Sequence, residues 1–168
     1  YMVDLYKKQH KATTLLVRRA SNADKAQMQS FFDKHAPSKQ FYPVYDFSKI
    51  GTKDNYYRGV DIENYFLAYD DDELIGMCAV WNQKDFKQTR FVSYQGKMKA
   101  LRHINNIKSK FFGGLQLPSP GSLASYLSLH TVLCADNRID IFQDLLSCIL
   151  KTYHASDYEA LIFGFDTR

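Results

Sequence analysis

The sequence predicts an α/β (α+β) fold, a central mixed sheet flanked by helices. Three stretches predict it. Ser125 to Phe165 reads as strand, tight turn, amphipathic helix and strand; Tyr65 to Trp81 reads as an apolar hairpin; and Thr13 to His35 reads as a strand followed by a helix. Two strands joined through a helix pack most simply as parallel neighbours, whereas two joined by a short acidic turn must be antiparallel, so the sheet is mixed.

At 168 residues the chain has enough surface to bury for one domain with a single core. Tyr1 stands where an initiator Met is expected and Arg168 follows directly on an apolar strand, which reads as a piece of a longer protein, with residues 1–12 an N-terminal extension and 13–168 the domain. No apolar run reaches membrane-spanning length and the start lacks a signal-peptide core. The three cysteines, Cys78, Cys134 and Cys148, lack paired spacing and read as small buried hydrophobes in a reducing cytoplasm, with a nucleophilic Cys134 at a strand end as the alternative. The five histidines are scattered and form no metal-ligand pattern.

Thr13 to Arg19 alternates as a strand, and Ser21 with Asp24 forms a capping box that opens a helix through Met28, Phe31, Phe32 and His35, closed by Pro37. Phe41 to Tyr57 is aromatic and irregular, a loop with a short helix lying over a cleft or over the core. Asp70 to Glu73 turns the hairpin, and Gly76 marks a bulge or a close backbone contact. Residues 84–121 are an insertion in which Lys84, Lys87, Arg90, Lys97, Lys99, Arg102, Lys108 and Lys110 face only Asp85, a local charge of +7 in a chain of net +4.

Within that insertion Met98, Leu101, Ile104, Ile107 and Phe111 recur at helical spacing, so it carries a basic amphipathic helix. Two readings stand: over residues 84–112 it offers a face to an acidic partner such as an anionic membrane surface, a carrier protein or nucleic acid, or its apolar side covers the sheet. Nothing in its spacing identifies a nucleic-acid module. Gly113, Gly114 and the stretch Pro118 to Gly121 form a loop, after which Ser125 to Cys134 is a buried or half-buried strand. Ala135 to Arg138 breaks that strand, and Phe142, Leu145, Leu146, Ile149, Leu150 and Tyr153 mark one face of the next helix. A helix N-terminus at the end of such a strand favours an anion, because its free N–H groups and its dipole both point at one.

This order resembles that of the GNAT acyltransferase superfamily, the N-acetyltransferase fold. Arg18 to Asp24 resembles the opening strand and helix, Tyr65 to Trp81 the second and third strands, and Ser125 to Phe165 the fourth strand, the cofactor-facing helix and the fifth strand. More narrowly, Trp81 to Thr89, Leu117 to Gly121 and Ile162 to Asp166 resemble segments of a divergent bacterial branch. The family motif Q/R-x-x-G-x-G/A, whose glycines let backbone approach a pyrophosphate, falls on Asn137, Asp140 and Phe142, so this chain lacks its glycines.

The resemblance implies acetyl-CoA or another acyl-CoA as substrate, held by Leu133, Cys134, Asn137, Arg138, Ile139, Asp140 and Ile141, with Arg138 offsetting the negative charge of Asp140. The family's reaction is direct attack of an amine, on a small molecule or a peptide, on the thioester. Tyr126, Ser128 and His130 share one strand face, which makes His130 the candidate base and Tyr126 a second candidate. The family's acid is a Tyr in a helix after the fifth strand, beyond Arg168, and the C-terminal part of the fold is absent on this reading. Two functions follow: an acyl-CoA-dependent N-acyltransferase, or a non-catalytic GNAT-like domain that keeps the scaffold as a ligand-binding or interaction module.

Overall fold

After a strand that the sequence pattern does not predict, β1 (Met2–Asp4) in the N-terminal extension, the elements follow in the expected order: β2 (Leu16–Arg19), α1 (Lys25–His35), β3 (Tyr65–Asp70), β4 (Glu73–Trp81), α2 (Lys97–Phe112), β5 (Tyr126–Cys134), α3 (Ile139–Tyr153) and β6 (Ala160–Ile162). The structure is a computed structural model that describes residues 2–5, 14–39, 42–53, 55–114, 116–154 and 156–164. The expected strand at Thr13 begins only at Leu16, and Thr13, Phe41 and Phe165 lie outside the described residues. The chain forms two compact units, one of residues 10–81 with 129–151, the other of residues 1–9, 82–128 and 152–168.

In the first unit the strand order is β5, β4, β3, β2, with β2 antiparallel to β3 and β3 to β4. Every residue of β3 from Tyr65 to Tyr69 and of β4 from Leu74 to Val80, apart from glycine's lack of a side chain at Gly76, is buried. That near-continuous apolar run is what a sheet covered on both faces requires. One face, with Tyr65, Leu67, Tyr69, Met77 and Ala79, packs on Met28, Phe31 and Phe32 of α1 and on Phe47. On the other, a Cβ at Gly76 would sit 2.4 Å from Ile141 Cγ2 and 3.3 Å from Leu145 Cδ1, so α3 rests directly on the glycine backbone. The close contact expected at Gly76 is there, and a register shift falls opposite it between Ala68 and Tyr69.

Two buried carboxylates tie this unit together. Asp144, on the inner face of α3, accepts from the backbone N–H groups of Thr14 and Leu15 at 2.8 and 3.0 Å and from Thr14 Oγ1 at 2.9 Å, fixing the approach to β2. Asp24 receives both ends of the Arg18 guanidinium, at 3.0 and 2.7 Å, and the N–H and hydroxyl of Ser21 at 2.7 and 2.8 Å. The reciprocal capping box expected between Ser21 and Asp24 is formed. The Arg18 pairing, followed by the Ser21 hydrogen bonds, holds the Asp24 carboxyl well below the usual carboxylate range.

A carboxylate whose folded pKa is depressed contributes stability that is complete above its unfolded value and is lost as pH falls toward the folded one. Asp24→Ala is therefore expected to lower stability by about 1.5–3 kcal/mol at neutral pH, and to flatten the loss of stability below about pH 4. Urea unfolding of both proteins from neutral pH downward checks this; parallel acid profiles would remove Asp24 from the acid response.

In the second unit the first three residues of β5 pair in parallel with β6, Tyr126 with Ala160 through Ser128 with Ile162, and β6 pairs antiparallel with β1. The sheet segment is mixed, as the helical crossover from β5 to β6 dictates. Helix α2 corrects the reading in which its apolar side covers the sheet. None of its residues is buried, and Met98, Leu101, Ile104, Ile107, Phe111 and Phe112 are all exposed. Its polar side is the docked one, because Arg102 and Asn106 bond the backbone of Leu117 and Pro118.

Candidate functional site

Strand β5 stops being regular at Thr131, a buried, β-branched residue at φ 50°. A threonine in the left-handed region is strained by roughly 1–3 kcal/mol and persists only where its surroundings hold it. Those surroundings are polar and aromatic. Thr131 Oγ1 lies 2.7 Å from His130 Nδ1 and 3.5 Å from the Tyr65 hydroxyl. The Tyr42 hydroxyl donates to the carbonyl of Val132 at 2.9 Å.

His130 sits in a box of rings, with its centroid 5.3 Å from Trp81, 5.7 Å from Tyr65 and 6.1 Å from Tyr45. Its Nδ1 has Thr131 as a partner, whereas its Nε2 is buried and bonds nothing among the described residues. Burial lowers its pKa from 6.5 to about 4, so the ring is neutral near physiological pH. An unpaired buried ring nitrogen costs the desolvation of a polar group, and such groups concentrate where a ligand supplies the missing bond.

Tyr126 lies in the other unit, where its hydroxyl is 3.0 Å from Thr89 Oγ1. The residues expected around an acyl-CoA fall in three settings. Leu133 is a core residue, and Cys134 is buried with its thiol pushed up to about 12, which keeps it protonated and inert as a nucleophile. Asp136 and Asn137 turn the chain in the left-handed region at φ 51° and 56°, and the Asn137 side chain accepts from Lys39. The first turn of α3 holds the rest: Ile139 is exposed, Ile141 is buried against the sheet, and Arg138 and Asp140 form an exposed pair.

That pair decides the chemistry of the helix tip. Arg138 Nη2 and Nε donate to Asp140 at 2.5 and 3.2 Å. The Asp140 carboxyl is held below its usual range first by Arg138, and also by the backbone N–H groups of its own residue and of Ile141. A pyrophosphate here would have to take those amides from Asp140, although solvent screens an exposed pair of this kind and leaves it weak. The tip therefore offers two cations, Lys39 and Arg138, and amides already shared with an anion of the chain itself.

The ring box was only half legible beforehand. The sequence marks His130 as the one group on its strand face with an ordinary pKa near neutrality, but carries no pattern that joins Tyr42, Tyr45, Tyr65, Trp81 and Thr131 to it. The available signal was the aromatic density of residues 41–57, whose Tyr42 and Tyr45 pack against the same core as Trp81.

No family model and no curated protein matches the chain. Among solved structures it is similar to a GCN5-related glucosamine N-acetyltransferase region in a fungal multi-domain GH3 beta-N-acetylglucosaminidase, at 11% identity and a TM-score of 0.48 over 95% of this chain and 17% of that one. It is also similar to a transcriptional regulator from Bacillus halodurans C-125, at 17% identity and a TM-score of 0.44 over 91% of this chain and 83% of that one.

Proposed function

We propose that this chain is a GNAT-type N-acyltransferase domain of a divergent bacterial branch, moving an acetyl or other acyl group from acyl-CoA to a small-molecule or peptide amine. The observation that carries it is the buried, unpaired Nε2 of His130 beside the strained Thr131. In this reading the amine nitrogen attacks the thioester carbonyl, the C–N bond forms as the C–S bond breaks, and the proton lost by the amine passes to His130 Nε2. The departing thiolate takes a proton from solvent. Thr131 holds the ring through Nδ1, so that Nε2 faces the incoming N–H. Lys39 and Arg138 supply positive charge for the phosphates where the glycines that admit close backbone approach are missing. Three free cysteines fit a cytoplasmic protein.

Asp140 supports a second reading, a non-catalytic domain that binds a ligand in the ring box. Its carboxylate on the first amides of α3 opposes a pyrophosphate there. The two part on a thermal-shift titration of the protein with acetyl-CoA and longer acyl-CoAs. The transferase reading expects a rise in Tm with ligand concentration by mass action, and a several-fold tighter response in Asp140→Asn, which removes the competing charge. No shift in either protein, at any acyl length, leaves the binding module.

A further inference from the structure

Helix α2 is built inside out. Arg102 Nε donates to the carbonyls of Leu117 and Pro118 at 3.3 and 2.9 Å, Arg102 Nη2 donates to Ser119 Oγ at 2.9 Å, and its guanidinium lies 5.7 Å from the Tyr94 ring centre. Asn106 closes a two-way clasp with Leu117, donating to its carbonyl at 2.9 Å and accepting from its N–H at 2.7 Å. The side that such a helix normally turns inward is turned out: Leu101 is 50% exposed, Ile104 56%, Ile107 59%, Phe111 79% and Phe112 85%. Singly exposed apolar residues need no explanation, but a contiguous row along a whole helix marks a surface that something covers.

Charge says what covers it. Lys97, Lys99, Lys108 and Lys110 are exposed on the same helix, and no Asp or Glu occurs between Asp85 and Asp136. A second copy meeting this face would set lysine against lysine with no acid to answer, so self-association is disfavoured. At 100° per residue Lys97 and Lys108 fall within the apolar row itself, where a long apolar stem lying flat and an ammonium reaching outward suit a lipid headgroup layer better than a fixed carboxylate. Among the described residues no helix is long and apolar enough to cross a membrane, so the contact is one of lying on the surface.

We propose that α2 docks this domain on an anionic lipid bilayer, with Leu101, Ile104, Ile107, Phe111 and Phe112 entering the interface and Lys97 and Lys108 meeting anionic headgroups. The proposal is independent of the chemistry assigned to His130.

The test is co-sedimentation of the full chain with vesicles of phosphatidylcholine alone and of phosphatidylcholine with about 30% phosphatidylserine. Binding is expected to the anionic vesicles, to weaken as salt rises, and to drop about tenfold or more in the double variant Ile104→Glu, Ile107→Glu. Both positions are exposed, so its Tm should match the parent's; Lys97→Gln with Lys108→Gln, both within the apolar row, weakens binding through charge alone and leaves the fold untouched. Failure to bind anionic vesicles at low salt overturns the proposal, as does unchanged binding by the double glutamate variant. A dimer that the same variant dissociates, or binding to polyglutamate in place of vesicles, assigns the face to another partner and overturns it equally.

Discussion

Phe47→Ala is expected to cost about 3–5 kcal/mol of folding stability, the largest single loss in the unit that holds the ring box. The residue is fully buried and meets Phe32 and Tyr65 edge-on, with ring centres 5.7 and 5.6 Å apart. Its backbone N–H donates to Gln29 Oε1 at 3.0 Å, and Gln29 Nε2 donates to the Tyr45 carbonyl at 3.2 Å, so the irregular aromatic segment is pinned to α1 through both Tyr45 and Phe47. Truncation opens a cavity that its neighbours cannot readily fill, since Tyr65 sits in the middle of β3 and Phe32 is held by its helix. Urea unfolding should show the midpoint fall with an unchanged denaturant slope. A loss below about 1 kcal/mol would mean that the site collapses freely and that the segment is held elsewhere.

Why Phe47 and not a strand residue holds this place was hidden in the sequence, because the same aromatic composition serves a flexible lid and a packed wall equally well. The regular parts were easier to read. Two apolar runs around an acidic turn placed β3 and β4, and three- and four-residue spacing placed α3, because a strand covered on both faces is apolar throughout and a helix repeats where its Cβ atoms point. Gly76 was legible for a related reason: a glycine inside an apolar strand needs a neighbour that comes too close for a side chain, and Ile141 is that neighbour.

Helix α2 shows where such reading stops. Its periodicity gave the apolar face, but a helical pattern does not say whether that face looks inward. The sign was on the opposite side, in Arg102 and Asn106 positioned to bond the loop around Pro118. Asp144 interrupts the apolar run of α3, where a carboxylate must find donors, and Thr14 and Leu15, 130 and 129 residues away in the chain, supply them. Thr131 could not have been read at all, since a β-branched residue is among the last to be expected at positive φ.

His130→Gln should lower kcat/KM for acyl transfer by about 10²–10⁴-fold if Nε2 takes the proton of the amine. Glutamine reaches about as far as Nε2 and can hydrogen-bond there but cannot accept a proton, so binding should survive better than turnover, with kcat falling more than KM rises. The pH profile separates this from a packing role. A base must be unprotonated to act, and burial lowers the His130 pKa from 6.5 to about 4, so in the parent the acid limb of kcat/KM should fall near pH 4. The same depression makes the folded state lose stability as pH drops from 6.5 toward 4, because the unfolded chain binds the proton first. In His130→Gln both responses should disappear together. A variant that keeps the acid limb, or that loses stability with pH as the parent does, would show that the proton resides on some other group, and the ring would then be a wall of the box whose Nε2 awaits only a hydrogen bond.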